Sequence, residues 1–275
     1  MEECKLYIVP TPIGNLDDMT YRAVEVLKNV DIIACEDTRH TRKLLDYFGI
    51  KNRLISYHEH NEKESSEGIV EEMFKGKTIA LVSDAGMPLI SDPGHKLVQK
   101  LIEENINFTV LPGASATVTA LVASGMNNDS FQFLGFFPTK KSDFDIFFDK
   151  ILSSEIASIC YESPHRIKNT LRQICPKLGN RKISVLRELT KIYEDYIYFK
   201  ASEFNEDLFL ERGEFVVVIE GKEKDQELPE DFIVSQLEKL SKLGYSDKDA
   251  VKLVSDMNGI KKNLVYKINL RRSIK

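Results

Sequence analysis

Three glycine-containing motifs are missing from this chain. None of its 14 glycines forms a G-x-G, so the tight turn of the dinucleotide-binding fingerprint has no counterpart here. A Rossmann dehydrogenase and an ordinary Rossmann-type methyltransferase therefore both lose support. The chain also has no G-x-x-x-x-G-K, which disfavours a P-loop nucleotidase, and no G-x-S-x-G, which weakens an α/β-hydrolase interpretation.

Cysteine pairs and long apolar runs are scarce as well. Cys4, Cys35, Cys160 and Cys175 form no C-x-x-C pair, which disfavours structural zinc and a disulfide framework and fits a reducing cytoplasm. The longest apolar runs, such as 215–219, are far shorter than the about 20 residues of a membrane-spanning helix. We therefore expect a cytoplasmic protein without a membrane segment or a signal peptide.

Acidic residues outnumber basic ones. The 43 Asp and Glu against 38 Lys and Arg give a formal net charge of −5. That balance argues against indiscriminate nucleic-acid binding but leaves room for a local basic patch. Such a patch is present from residue 261 onward, where six Lys and Arg occur without an acid.

Short apolar runs alternate with helical patterns through the first half of the chain. Helices are predicted between strands at 5–9, 32–35, 54–56, 78–82 and 108–111. This βαβα order predicts an α/β fold with a largely parallel sheet that is covered on both faces. The expected N-terminal α/β domain covers residues 1–127.

The pattern changes in the second half. Helices at 144–152 and 164–175 accompany strands predicted at 132–136, 156–161, 182–188, 193–200 and 215–219. The strands at 182–188 and 193–200 are close enough for a hairpin, so we expect a mixed or antiparallel sheet. The turn residues at 127–130 mark a domain boundary, and the second α/β domain is expected over 128–222.

A charged linker follows the last predicted strand. Beyond it, three helices are predicted at 229–243, 247–257 and about 261–270, with Asn258-Gly259 as the stop signal of the second. We expect these helices to form a small basic helical unit over 229–275. Its lysines either bind nucleic acid or simply form the wet face of an amphipathic helix pair.

The most specialised loop is V-S-D-A-G-M-P-L-I-S-D-P-G at 82–94. It directly follows a buried strand and leads into a helix from about residue 95. Thirteen residues exceed the usual length of a connection. Ligands of open α/β sheets bind at the carboxyl ends of strands, so we expect this loop to bring backbone N–H and C=O groups close to a small polar ligand.

Two other strands end in motifs that suit a ligand site. P-T-P-I-G-N-L at 10–16 follows the first strand, and it is either a rigid turn or a ligand contact. C-E-D-T-R-H-T-R at 35–42 opens a helix. There, Asp37 or Thr38 is a possible N-cap and Arg39 a possible surface residue. Alternatively, the charged cluster orients a polar substrate.

The motif Y-E-S-P-H-R at 161–166 follows a strand of the second half. Ser163 suits a helix cap and Pro164 a first helical position, so Glu162, His165 and Arg166 would crowd one helix start. A helix N-terminus attracts anions and Arg suits phosphate, although capping plus surface charge explains the same residues.

The H-E-H run at 58–60 is a weak metal motif. It lies in a polar loop without an obvious third ligand. We expect a solvated loop there and no metal site.

Taken together and in this order, the motifs resemble the tetrapyrrole-methylase superfamily, and most closely its 16S ribosomal RNA (cytidine-2′-O)-methyltransferase branch. The resemblance runs from residue 6 to about 270. It is carried by the motifs at 10–16, 35–39, 82–94 and 161–166, together with L-P-G-A-S-A (111–116), F-L-G-F-F-P (133–138), R-E-L-T-K (187–191) and G-E-F-V-V-V-I-E-G (213–221).

The resemblance implies a homodimer of two-domain α/β chains with S-adenosylmethionine between the domains. The positions that match the superfamily's cofactor contacts are Pro12, Asp84, Gly86, Met87, Ile90, Ser115 and Ala116. Two departures are clear. G-M-P stands at 86–88 where many members have G-D-P, and P-T-P-I-G-N replaces the glycine-rich first loop of the tetrapyrrole-methylating members.

The resemblance also implies methyl transfer to the ribose 2′-hydroxyl of a cytidine in the decoding centre of 16S rRNA, either as naked RNA or within the small ribosomal subunit. A general base or orienting group would then be needed. The candidates for that role are Asp37, Glu162 and His165, those for phosphate binding are Arg39 and Arg166, and those for RNA binding by the C-terminal unit are Lys261 and Lys262.

Two alternative functions stay open from the sequence. One is a small-molecule methyltransferase acting on a tetrapyrrole-like substrate. The other is a nucleic-acid-binding regulator that uses its C-terminal helices and senses a metabolite without turnover.

Overall fold

The computed structural model describes residues 4–58, 62–127, 129–223, 228–260 and 262–272. Its strands are β1 (Leu6–Ile8), β2 (Ile32–Cys35), β3 (Arg53–Ser56), β4 (Ile79–Leu81), β5 (Phe108–Val110), β6 (Phe131–Phe136), β7 (Ala157–Glu162), β8 (Lys182–Arg187), β9 (Asp195–Lys200) and β10 (Phe215–Ile219). Its α-helices are α1 (Tyr21–Asn29), α2 (Thr38–Tyr47), α3 (Glu62–Phe74), α4 (His95–Glu103), α5 (Ala116–Ser124), α6 (Lys141–Ser153), α7 (Ile167–Leu178), α8 (Glu230–Lys242), α9 (Asp247–Asn258) and α10 (Lys262–Arg272).

The chain divides into two compact units, Met1–Gly221 and Lys222–Lys275. The first unit contains both β-sheets. The expected subdivision of this unit at residues 127 and 128 falls between α5 and β6, and it stays a prediction. No helix in the described part of the chain is long and apolar enough to cross a bilayer.

The first sheet is parallel throughout, with strand order β3-β2-β4-β1-β5. Neighbouring residues of a strand point to opposite faces, so Ile32 packs in a core with α3 and α4, whereas Ile33 packs in a core with α1 and α2. The prediction of a parallel sheet covered on both faces is confirmed. The loops that follow β1, β4 and β5 leave the same edge of the sheet side by side.

The second sheet has strand order β6-β7-β10-β8-β9 and is mixed, as expected. Strands β6 and β7 are parallel, the other pairs are antiparallel, and β8 and β9 form the predicted hairpin. Helices α6 and α7 cover one face. The other face packs against α5 and Ile13, a residue of the loop after β1. Ile13 therefore links the first loop to the second sheet.

Helices α8, α9 and α10 of the second unit pack around a small apolar core that includes Leu237, Val254 and Val265. The side chain of Ser246 caps α9 by accepting the N–H of Asp249. Helix α9 ends at Gly259, whose φ of 64° is left-handed, so the predicted stop signal is confirmed.

The prediction that Pro164 opens a helix is wrong. Helix α7 begins at Ile167, and its side-chain cap is not Ser163. Instead, the carbonyl of Ser163 accepts the N–H groups of Arg166 and Ile167, both at 3.1 Å, and forms a turn. The physical reason is the carboxylate of Glu162, which accepts the Ser163 N–H at 2.7 Å and so stabilises the turn ahead of the helix.

Candidate ligand-binding site

The loops after β1 and β4 are joined by a reciprocal pair of backbone hydrogen bonds. Thr11 and Gly86 each donate an N–H to the other's carbonyl, both at 3.0 Å. The hydroxyl of Thr11 also donates to the carbonyl of Ser83 at 3.1 Å. Gly86 has a φ of 77°, and a Cβ added to it would lie 3.1 Å from Cγ2 of Ile13. A glycine is therefore favoured at this position for two reasons: the left-handed backbone and the close approach of the Ile13 side chain.

Left-handed backbone is concentrated in the loop at 82–94. Besides its glycines, Leu89 and Ser91 have φ values of 71° and 67°. Such conformations cost roughly 1–3 kcal/mol each and persist where surrounding contacts enforce them. One such contact is Glu62, whose Oε1 accepts the N–H of Gly94 at 3.0 Å and whose Oε2 pairs with Lys96 Nζ at 3.0 Å. Glu62 thus fixes the C-terminal end of the loop.

A cavity of about 400 Å³ lies between this loop and the second sheet. Both sheets contribute to its lining, which consists mainly of loop residues after β4, β5 and β7 and of the first residues of β10. The lining residues are Ile13, Asp84, Ala85, Gly86, Met87, Ile90, Ser91, Asp92, Ser115, Ala116, Phe136, Tyr161, Glu162, Ser163, Pro164, Glu214, Phe215 and Val216. The volume and mixed lining suit a small organic ligand.

One carboxyl group in this cavity is markedly perturbed. The pKa of Asp92 is raised from 3.8 to about 6, mainly by burial and also by the nearby carboxylates of Glu36 and Asp84, against a hydrogen bond from Ser83 that lowers it. A bound cation would favour the charged form of Asp92. The cavity therefore offers an electrostatic preference for a positively charged ligand.

The opposite side of the cavity is aromatic. Tyr161 forms edge-to-face contacts with Phe133 and Phe136, with ring centroids 4.8 and 5.3 Å apart. Its hydroxyl is 2.8 Å from Oγ1 of Thr117. Burial is the main cause that raises the pKa of Tyr161, so the hydroxyl stays neutral and the ring packs as an apolar surface.

The structure brings most of the predicted cofactor residues together. Six of them line this cavity: Asp84, Gly86, Met87, Ile90, Ser115 and Ala116. Pro12 lines a second, adjoining cavity instead. Ser115 also caps α5 by accepting the N–H of Val118. Their contact with a cofactor stays a prediction.

Two of the predicted acid–base candidates are carboxylates that already have protein partners. Asp37 is the N-cap of α2, and Arg39 binds it through Nη2 at 3.0 Å and through its backbone N–H at 2.8 Å. The Arg39 hydrogen bonds lower the pKa of Asp37 to about 2. Asp37 lines neither cavity. Its backbone N–H, however, donates to Oδ1 of Asp84 at 3.2 Å and so positions a cavity residue.

Glu162 is one of the residues that line the cavity, and its carboxylate is fully buried. Oε1 accepts the Ser163 N–H at 2.7 Å and pairs with Nη2 of Arg166 at 2.6 Å. Oε2 accepts the hydroxyl of Thr170 at 2.5 Å. This arrangement anchors the turn before α7, and it engages the guanidinium of Arg166 as well.

The remaining predicted residues are spread over the chain. His165 and Arg39 are exposed and line neither cavity. Lys262 is exposed on α10 in the second unit, and Lys261 lies outside the described residues.

Metal-ligating side chains do not cluster in the part of the chain that the structure describes. No group of three or more His, Cys, Asp or Glu there is arranged to hold an ion. Glu59 and His60 of the H-E-H run lie outside the described residues, although His58 lies within them.

Several cavity residues were not singled out from the sequence. Asp92 follows a serine, as Asp84 does, and this repeated S-D within one loop was an available signal. Tyr161 and Glu214 lie within motifs that the resemblance included, but nothing local to the sequence indicates that both line one cavity. That juxtaposition depends on the pairing of β7 with β10.

Comparison with known proteins gives a consistent result. The family model described as Tetrapyrrole (Corrin/Porphyrin) Methylases matches residues 5–205. The chain is similar to proteins named Ribosomal RNA small subunit methyltransferase I. The one from Halalkalibacterium halodurans is 44% identical over 96% of this chain and 93% of its own length. The one from Bacillus subtilis is 42% identical over 95% of this chain and 92% of its own length.

Solved structures show the same fold at lower identity. The methyltransferase CobJ matches with a TM-score of 0.59 and 17% identity, covering 80% of this chain and 95% of its own. Diphthine synthase matches with a TM-score of 0.59 and 13% identity, covering 78% of this chain and 89% of its own.

The buried carboxylate of Glu162 leads to a first prediction. Replacing it by an amide in Glu162→Gln leaves Arg166 partly buried without its countercharge. We expect the free energy of unfolding in urea to fall by about 3–5 kcal/mol. The matched control is Glu203→Gln, because the carboxylate of the exposed Glu203 also pairs with a cation, Lys200, at 4.0 Å. Loss of this exposed ion pair should lower the free energy of unfolding by less than about 1 kcal/mol. Equal stabilities of the two variants would contradict the anchoring role.

Proposed function

The chain belongs to the tetrapyrrole methylase family, and from that premise we propose that it transfers a methyl group from S-adenosylmethionine to the ribose 2′-hydroxyl of a cytidine in the decoding centre of 16S rRNA. The observation that carries the proposal is the identity of 44% to a relative named Ribosomal RNA small subunit methyltransferase I, over 96% of this chain. The coarser statement, that the chain is a ribosomal RNA methyltransferase, follows directly from this similarity.

The larger cavity fits S-adenosylmethionine. When bound, this cofactor supplies an electrophilic methyl group on a sulfonium, and the electron pair of the broken carbon–sulfur bond stays on sulfur. Asp84 and Asp92 offer carboxylates for its positive charges. Gly86 leaves the backbone accessible, and the small residues Ser115 and Ala116 leave room beside it. Tyr161 and Phe136 provide an apolar side.

The acceptor is a weak nucleophile, so its orientation and deprotonation both matter. Positioning alone supplies several kcal/mol of the barrier to transfer. We retain Asp37, Glu162 and His165 as the proposed orienting or acid–base groups, with Arg39 and Arg166 as proposed phosphate ligands. The hydrogen bonds of Asp37 and Glu162 favour a positioning role for these two carboxylates.

Two partner proposals accompany this function. The first is RNA contact by the second unit through Lys261 and Lys262 of its basic end. The second is a homodimer, supported by exposed apolar side chains on α5 and β9, namely Val118, Val122, Tyr196 and Tyr198. A sedimentation mass of twice 31.4 kDa is expected, and a stable monomer at working concentration excludes the dimer.

The function is tested by tritiated methyl incorporation into small ribosomal subunits that carry unmodified 16S rRNA. We expect label on the 2′-oxygen of a single cytidine, mapped by nuclease digestion. Label on a base, or label only in a tetrapyrrole offered in parallel, would contradict the proposal. A chain ending at Gly221 should bind the same subunits more weakly, which is measured as a higher Kd. His165→Ala should lose methyl transfer while keeping its affinity for the cofactor, and full transfer by this variant would exclude His165 as an acid–base group.

A pH dependence of cofactor binding follows from Asp92. Its pKa of about 6 in the cofactor-free protein means that a cationic ligand must bind the ionised form and displace a proton at lower pH. Calorimetric affinity for S-adenosylmethionine should therefore rise from pH 5 to about pH 6.5 and then level off. Asp92→Asn should remove this dependence, and S-adenosylhomocysteine, which lacks the sulfonium charge, should show less of it.

Asp92 makes the free energy of unfolding fall as the pH rises, whereas it makes the affinity for the cofactor rise. Because its folded pKa is raised from 3.8 to about 6, the contribution of Asp92 to the free energy of unfolding is fully present below pH 3.8 and is lost as the pH rises through 6.

The prediction for cofactor binding fails if the affinity of the wild type for S-adenosylmethionine is flat from pH 5 to 7. That result would contradict the proposed role of Asp92 as a carboxylate for the positive charge of the cofactor.

A further inference from the structure

A second cavity, of about 310 Å³, adjoins the proposed cofactor cavity. Four residues line both cavities: Ile13, Asp84, Ala85 and Glu214. A ligand in one cavity therefore lies next to a ligand in the other, and these four residues line their shared boundary. A methyl transferase needs two such neighbouring positions, because donor and acceptor atoms must come within about 3–3.5 Å of each other.

The second cavity has a cationic side formed by helix α2. His40 and Lys43 line it and are one helical turn apart, so their side chains are neighbours on one face. Both residues are exposed. Within the described ranges of the chain, neither the His40 ring nor the Lys43 ammonium forms a hydrogen bond or ion pair with the protein. Their polar groups are thus available to a ligand.

The opposite side is fixed by one lysine and two carboxylates, a group with a net charge of −1. Lys191 Nζ pairs with Glu188 at 2.9 Å and with Glu214 at 3.2 Å. Burial alone lowers the pKa of Lys191, but these two carboxylates outweigh burial and raise it above the ordinary value. Thr190, in left-handed backbone with a φ of 66°, accepts the N–H of Asn15 through its hydroxyl at 3.0 Å. This contact holds the first loop against the loop after β8.

The rest of the lining is apolar. Pro12, Leu16 and Leu44 contribute hydrocarbon surface to the same cavity. A nucleotide combines an anionic phosphate with a sugar and a flat base whose faces are apolar. These three parts are matched by the Lys43 ammonium and the His40 ring on one side, by hydrocarbon on another and by the shared boundary with the methyl donor. A single-stranded or flipped nucleotide is also the form in which proteins act on one residue of RNA.

We propose that this second cavity binds the target nucleotide of the RNA, with its ribose against the shared boundary and its phosphate on Lys43 and His40. The inference rests on the proposed function, whose acceptor it locates. It also helps to explain how a chain of net charge −5 binds a polyanion, because Lys43 adds a local attraction to that proposed for the second unit. Transfer then forms a carbon–oxygen bond at the boundary and breaks the methyl carbon–sulfur bond of the donor, whose electron pair stays on sulfur, while the hydroxyl proton leaves to water or to a base.

The test compares Lys43→Gln with Lys51→Gln. Lys51 is an exposed lysine that follows α2 and precedes β3, at the opposite edge of the sheet from the cavity. Three quantities are measured for each full-length variant: the Kd for small ribosomal subunits carrying unmodified 16S rRNA at several salt concentrations, the KM and kcat of methyl transfer to them, and the calorimetric Kd of S-adenosylmethionine.

For Lys43→Gln we expect the Kd and KM for the subunits to rise about tenfold, which corresponds to about 1.4 kcal/mol. The slope of log affinity against log salt should become shallower by about 0.7, as expected for the loss of one phosphate contact. The affinity for S-adenosylmethionine should not change. Lys51→Gln should match the wild type, and Lys43→Arg should recover most of the lost affinity because it restores the charge.

Each other outcome overturns the inference. Equal behaviour of Lys43→Gln and Lys51→Gln places the nucleotide elsewhere, and a loss of cofactor affinity in Lys43→Gln assigns Lys43 to the cofactor or to the fold. The proposed function fails separately. It is excluded if the wild type transfers no methyl group to the subunits. If the wild type does transfer and the Lys43→Gln substitution has no effect, only the inference is removed.

Discussion

Two backbone hydrogen bonds between Thr11 and Gly86, each 3.0 Å long, hold the candidate site together. They join the ends of two strands, β1 and β4, that are already neighbours in the parallel sheet. Thr11 is 2% exposed, so an unmade bond there would leave a buried polar group and cost about 1–3 kcal/mol. The pair therefore fixes the loop at 10–16 against the loop at 82–94, and it places Ile13 against the second sheet.

From this constraint follow two chemically different cavities on either side of Ile13 and Asp84. One has aromatic and small residues with a perturbed carboxyl group, Asp92, and suits a cationic donor. The other has the unpaired ammonium of Lys43 beside the ring of His40 and suits an anionic acceptor. Holding both partners in fixed neighbouring positions reduces the entropic part of the barrier to transfer, which accounts for several kcal/mol in well-oriented reactions. The backbone strain stored in the loop at 82–94 is maintained by contacts outside the cavity, above all those of Glu62.

The sequence was sufficient for the alternation of strands and helices, because period-two apolar runs and glycine or proline stops are local signals. It also located the loop at 82–94, since its composition suits no ordinary connection. It failed at the start of α7, where Pro164 suggested a helix but the buried carboxylate of Glu162 imposes a turn. Glu162 itself was considered for acid–base chemistry because its residue type allowed that role, whereas its burial and its bond to Thr170 depend on tertiary packing. Lys43 was missed for the same reason: only the folded chain places it beside Pro12.

The most direct measurement of the central claim is calorimetric titration of S-adenosylmethionine into Gly86→Ala and Gly76→Ala. Both glycines are left-handed, with φ of 77° and 88°, but a Cβ at Gly76 meets nothing within 4 Å, whereas one at Gly86 lies 3.1 Å from Ile13. Both variants should lose about 1–2 kcal/mol of stability from backbone strain. We expect the wild type and Gly76→Ala to bind with equal affinity and Gly86→Ala to bind at least about tenfold more weakly, a difference of about 1.4 kcal/mol. Equal affinity in all three proteins, or no binding by the wild type, would contradict the account.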